Sequence, residues 1–340
     1  MRVHITKIYG FIGTGGKAQE AVTTIAKRDL GFEELGLYHY PVETDTPEML
    51  GSRLDGILAS VSVGDIVIVQ SPTWNDLSFD EQLMNRLNVY WGPSGKIIWV
   101  HDILPLFLDS YRASLKRYID FYNRADVLIL PTRRMEAFLR ENGLTVKKVV
   151  IHKMFDYEVP VDQSFKPPFR KVMNLAGNPN QDPKLKFCKE WDQDNVQLAV
   201  TVDRGEWGER RNVRFLGWFH NDFLLLNALR KSGGFGLLWV DGWDWKEYIK
   251  MNASYKFSTY LAAGIPVVVP SGIGEEDTIR RKKLGLVVDS LDEAAERIER
   301  MSEAEYREMA DNVERFSYLL REGYFTKKAL TDAVFQLLND

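Results

Sequence analysis

Two stretches far apart in the chain carry residues that suit a phosphate group. Near the start is Gly13-Thr14-Gly15-Gly16-Lys17, glycines that open a helical run. In the second half is Asn252-Ala253-Ser254-Tyr255-Lys256-Phe257-Ser258-Thr259-Tyr260-Leu261-Ala262-Ala263-Gly264-Ile265-Pro266, a polar helix start followed by small residues and a strand. The first turn of a helix leaves backbone N–H groups without intrahelical partners and directs them at an anion. Gly15 and Gly16 allow a ligand to come close to the backbone. Lys256 adds a point charge that would offset a leaving diphosphate, with the Ser258 and Thr259 hydroxyls beside it and Tyr255 placed to stack or hydrogen-bond. Two such units, each in its own half, predict two lobes closing on one phosphate-bearing ligand.

The glycine turn fits one phosphate motif badly and a second one loosely. A P-loop needs Gly at position 11 and Ser or Thr at 18, and the chain has Phe11 and Ala18. The dinucleotide pattern G-x-G-x-x-G/A is met by Gly13, Gly15 and Ala18, but its acidic partner at the end of the second strand would be Glu43, beyond Pro41. A turn lying under a sugar diphosphate and a ligand-free tight turn are the other readings.

The elements that must position these residues alternate almost throughout. Strands are expected at 2–8, 35–40, 65–70, 96–101, 127–130 and 147–151, with helices near 16–28, 47–60, 79–91, 110–123 and 133–141. Runs such as Ile66-Val67-Ile68-Val69 are apolar on both faces, the pattern of a parallel sheet covered on both sides. Residues 160–168 hold three prolines and read as a linker. Strands restart at 171–176, 196–202, 213–216, 236–240, 266–270 and 286–289, and the chain is helical from Leu291. The expected division is 1–160, a linker at 161–170, a second domain at 171–305, and helices at 306–340 returning to the first. Two doubly wound α/β domains would turn their strand-end loops to a common cleft.

The pattern Asn252-x-x-x-Lys256-x-Ser258-x-Tyr260-Leu261-Ala262-Ala263-Gly264-Ile265-Pro266 resembles the donor segment of GT-B glycosyltransferases. His101-Asp102-Ile103-Leu104-Pro105-Leu106, and Gly177-Asn178 followed by Lys184, extend the resemblance over nearly the whole chain. Taken together the sequence is similar to the streptococcal and lactobacillary glucosyltransferase 3 group, which elongates O-glycans of serine-rich-repeat adhesins. The resemblance implies a GT-B fold and a retaining transferase. It implies a UDP-sugar substrate, UDP-glucose foremost, and an acceptor GlcNAc on adhesin Ser or Thr. It also implies no cofactor, no metal, and a homo-oligomer such as a tetramer. Lys256, His101 and Lys246 are the candidate catalytic residues. Thr14, Gly15, Gly16, Asn178, Lys184, Trp218, Asn252, Tyr255, Ser258 and Thr259 are the candidate nucleotide-sugar ligands. The chain departs from many retaining relatives, which carry two Glu where Met251 and Thr259 stand and an Arg where Asn178 stands. Ribose recognition then falls to another group such as Asn252, and charge neutralisation to Lys184, Lys246 and Lys256.

Composition narrows the field further. Hydrophobic residues make up 45% of the 340, ample for ordinary cores, and the formal net charge is −4. Lysines and arginines are scattered rather than striped, which speaks against nucleic-acid binding. The single cysteine, Cys188, fits a packed position in a reducing compartment. The first residues show no secretory pattern, and no apolar run approaches the roughly 20 residues a membrane span needs, so a soluble, cytoplasmic protein is expected. Asp192-Gln193-Asp194 satisfies a metal–nucleotide pattern but stands away from any glycine turn. Trp239-Val240-Asp241-Gly242-Trp243-Asp244-Trp245-Lys246 reads as a loop whose indoles could stack on a sugar. A dinucleotide-dependent oxidoreductase, and a non-catalytic sugar-binding partner of another transferase, are the alternatives.

Overall fold

A computed structural model describes residues 1–90, 95–207 and 212–339. The chain divides into two compact units, Met1–Lys153 with Phe325–Asp340, and Met154–Tyr324. Trp91, where the sequence pattern ends the third helix, and Asp340 lie outside the described residues.

The first unit is built on β1 (Val3–Tyr9), β2 (Glu33–Tyr38), β3 (Ile66–Ser71), β4 (Gly95–Val100), β5 (Val127–Leu130) and β6 (Lys148–Ile151), with α1 (Thr14–Leu30), α2 (Pro47–Ile57), α3 (Leu77–Tyr90), α4 (Leu115–Tyr122) and α5 (Arg133–Glu141) between them. Its sheet has the order β2-β1-β3-β4-β5-β6, all parallel. Every residue of β3 and β5 is buried, as runs apolar on both faces require. The helix starts are local chemistry. Thr46 accepts a hydrogen bond from the Met49 N–H with Pro47 in the first turn, and Thr132 does the same for Met135.

The second unit repeats the plan. Its strands are β7 (Val172–Leu175), β8 (Gln197–Val200), β9 (Val213–Phe215), β10 (Phe235–Leu237), β11 (Val267–Pro270) and β12 (Gly285–Val288), in the order β12-β11-β10-β7-β8-β9. Its helices are α6 (Asp222–Ser232), α7 (Trp243–Met251), α8 (Tyr255–Ala262), α9 (Glu276–Lys282), α10 (Leu291–Arg300) and α11 (Glu303–Arg321). The final helix, α12 (Tyr324–Asn339), places Ala329, Leu330 and Ala333 in the core of the first unit.

The division differs from the sequence reading in two places. The boundary falls before Met154, and residues 154–170 belong with the second unit. Phe155 and Tyr157 lie against the Tyr255 ring, and Lys166 pairs with Asp311 at 2.6 Å. A proline-rich composition marks extended backbone, and here that backbone is tied to its unit by side chains. Likewise α11 stays with the second unit, and only residues 325 onward group with the first. The tryptophan-rich stretch is also no simple loop, because α7 begins at Trp243.

In both sheets the strand order reverses once, between β1 and β3 and between β7 and β10. Connections leave in opposite directions there and open a crevice beyond the strands' carboxyl ends.

Candidate functional site

At the first reversal the glycine turn follows β1. Gly13, at φ +137°, precedes α1, and Thr14 is exposed at its start. The turn is open at Gly13 and Thr14 and packed from Gly15 onward. Phe11 and Trp74 stack at 4.5 Å between ring centroids, and a Cβ on Gly15 would lie 2.5 Å from the Trp74 indole. A Cβ on Gly16 would lie 2.7 Å from the Phe11 carbonyl oxygen. Trp74 itself is held at φ +63°, and nearby Asp76 at φ +80°, a region costly to side-chain-bearing residues. Gly15 is thus required by the Trp74 indole and Gly16 by the Phe11 carbonyl. His101, one residue past β4, is also interior: 2% exposed, its Nε2 2.8 Å from Gln70 Oε1, its ring stacked on Trp99. Burial, then the neighbouring His152, hold its pKa well below the ordinary value, so the ring is neutral at pH 7.

At the second reversal the arrangement is cationic. The Tyr260 hydroxyl accepts from the Ala176 N–H and donates to the Leu237 carbonyl, each at 2.9 Å, so it pins α8 across the ends of β7 and β10. Gly236 leaves room for that ring, since a Cβ there would sit 2.1 Å from it. Lys256 stands four residues earlier and shares the same helix face. A Cβ at Gly177 would come within 3.3 Å of its ammonium nitrogen, so Gly177 leaves space for it. Lys256 is half-buried and makes no hydrogen bond or ion pair among the described residues. Burial, then the charge of Lys184, push its pKa down to about 8, against the opposing pull of Asp182 and Cys188. Lys184 pairs with Asp182 at 3.1 Å and lies 3.8 Å above the Trp245 ring centroid. The loops are knit together by Asp241, whose N–H donates to the Lys184 carbonyl at 2.8 Å and whose carboxylate accepts from the Phe187 N–H at 3.0 Å. Two ammonium groups beside a helix start, one with no ion pair among the described residues, form a site that an anion would complete.

The other sequence candidates fall into three groups. Asn178 is a turn-maker: its side chain accepts from the Asn180 N–H at 3.0 Å, and its carbonyl from Gln181 and Asp182. Asn252 caps the end of α7 and its side chain accepts from the Ala253 N–H at 2.8 Å. Ser258 and Thr259 are buried, with Thr259 Oγ1 donating to the Tyr255 carbonyl at 3.0 Å. The helix is enclosed from Phe257 onward, and Ser258 Oγ is buried with no hydrogen-bond partner among the described residues. Tyr255 is engaged by Phe155 and Tyr157. Lys246 is exposed on α7 and is not among the charges acting on Lys256; Trp218 is 61% exposed. Cys188 is a buried free thiol. Sequence reasoning missed Trp74, for which no local signal exists, and the residues that hold α8.

Comparison with known proteins matches both halves to one family. The glucosyltransferase 3-like N-terminal domain matches residues 2–154, and the C-terminal domain of the same family matches residues 173–333. The chain is similar to glucosyltransferase 3 of Streptococcus gordonii, 41% identical over the whole of both chains. It is 38% identical to glucosyltransferase 3 of Streptococcus parasanguinis, again over the whole of both. Among solved structures, Anabaena HepE in complex with UDP-glucose superposes with a TM-score of 0.66 at 12% identity, covering 99% of this chain and 100% of that one. The fold is that of GT-B glycosyltransferases.

Proposed function

Because the chain belongs to the glucosyltransferase 3-like family of glycosyltransferases, we propose that it transfers glucose from UDP-glucose, with retention at the anomeric carbon, to GlcNAc on a Ser/Thr-rich adhesin. The observation that carries this reading is Lys256, a half-buried ammonium with no ion-pair partner among the described residues, beside Lys184 and the start of α8. Breaking the bond from anomeric carbon to diphosphate develops negative charge on the leaving group. Fixed cations and N–H groups stabilise that charge without reorganising. The N–H groups of Thr14, Gly15 and Gly16 are the candidates in the first unit. A front-face path needs no protein nucleophile, and the departing diphosphate can take the acceptor's proton. On the same reading the enzyme is a cytoplasmic homo-oligomer that uses no metal ion.

A screen of nucleotide sugars against a GlcNAc-bearing acceptor, run with and without excess EDTA, tests this. UDP-glucose should support transfer under both conditions. Preference for another donor would remove the glucose assignment, and activity restored only by manganese would remove metal independence.

A further inference from the structure

The chain passes between its units twice, after Lys153 and after Tyr324. A left-handed residue stands at each passage, Lys153 at φ +67° and Gly323 at φ +70°. The segments on the second-unit side of both passages are fastened to one helix, α8, at opposite ends.

At its start, Phe155 and Tyr157 lie 5.9 and 5.0 Å from the Tyr255 ring centroid, and the Tyr157 hydroxyl is buried in the neighbourhood of Thr259 and Asp222. At its end, Arg321 donates twice to the Ala262 carbonyl, at 3.0 and 2.7 Å. Arg230 donates to the Ala263 carbonyl at 3.2 Å and to the Phe165 carbonyl at 2.7 Å. Both guanidiniums share Glu314, each at 2.8 Å. Cations on the last carbonyls of a helix are favourably placed against its dipole. The clamp also explains Gly264, at φ +83°, where a Cβ would sit 2.2 Å from the Arg230 guanidinium. The two segments are joined as well, by the Tyr157 N–H donating to the Leu320 carbonyl at 2.9 Å.

We propose that Tyr157 and Arg321 are positioning residues for Lys256: by gripping α8 at its two ends they hold its ammonium over Gly177, and so tie diphosphate affinity to the segments through which the chain passes between units. The proposal rests on Lys256 being the diphosphate cation. No sequence motif marks it, because the gripping residues come from three remote places.

The test uses the full-length protein, with UDP as the probe. The groups acting on Lys256 are Lys184, Asp182 and Cys188, none of which is changed. The variants are Tyr157→Phe, which keeps the ring and removes the hydroxyl, and Arg321→Lys. In the wild type, UDP affinity should fall as pH rises through about 8, where Lys256 loses its proton. Each variant should weaken UDP binding at pH 7 on the order of tenfold, and should move the break upward as Lys256 regains water. A purely structural role would lower the melting temperature and leave the break in place. Wild-type affinity and an unmoved break in Tyr157→Phe would overturn the proposal, and that variant decides if Arg321→Lys does not fold. If Lys256→Ala binds UDP as the wild type does, the donor reading fails too, which separates the two failures.

Discussion

The two units share a strand order and a reversal point, yet fill that point in opposite ways. In the first, Gly15 is packed under the Trp74 of a Phe11–Trp74 stack, and the imidazole of His101 is neutral. In the second, a helix start meets Lys184 and Lys256, one of them without an ion pair among the described residues. Backbone N–H groups are common to both, so the difference lies in side chains. A parallel sheet supplies the crevice, and on the proposed reading the charge placed in the second is what suits it to a diphosphate.

The largest expected effect strikes the charged half. Lys256→Ala should fold normally and lose about 2–4 kcal/mol of transition-state stabilisation, on the order of a thirty- to thousand-fold drop in kcat/KM. Steady-state kinetics with the preferred donor would measure it, and wild-type kinetics would dissolve the contrast between the halves.

The packed half should respond in stability. Gly15→Ala drives a Cβ into the Trp74 indole and should cost about 1–3 kcal/mol in denaturant unfolding. The cost should shrink in a Trp74→Ala background, since the two sites are in contact. Equal costs in both backgrounds would mean that the indole is not what the glycine accommodates.

The smallest effect concerns the cost of holding an unpaired charge. The folded-state pKa of Lys256 is about 8 against 10.5 for a free lysine, so burying the ammonium opposes folding below about pH 8. Wild-type stability therefore rises between about pH 8 and 10.5, where the unfolded chain still binds the proton. Lys256→Met should raise the apo melting temperature at pH 7 while removing UDP affinity, and that advantage should fade toward pH 10. A variant that melts below the wild type at pH 7 would show that Lys256 is not under strain.

Much of the scaffold could be read locally. The twelve strands among the described residues lie near their expected positions, because runs such as Ile66–Val69 suit only a sheet covered on both faces. Lys256 was legible as a cation at a polar helix start followed by small residues, and Lys184 only through the family resemblance. The burial of Ser258 and Thr259 was not legible, since a polar helix start looks the same whether its turn is open or enclosed, and tertiary packing encloses this one. The clamp on α8 and the cover on Gly15 depend on contacts between Trp74, Arg230, Glu314 and Arg321, residues far apart in sequence. Nothing in their local spacing announces them.

Finally, α12 has a consequence for the order in which the protein is made. The first unit's sheet is complete by Ile151, yet its core also contains Ala329, Leu330 and Ala333, and Lys148 donates to the Gln336 carbonyl at 2.8 Å. On the ribosome, where chains emerge at about 5–20 residues per second, the half synthesised first must wait for the whole second half before its apolar face is covered. A nascent chain stalled before residue 325 exposes that face, and a carboxyl-terminal truncation would damage the amino-terminal half.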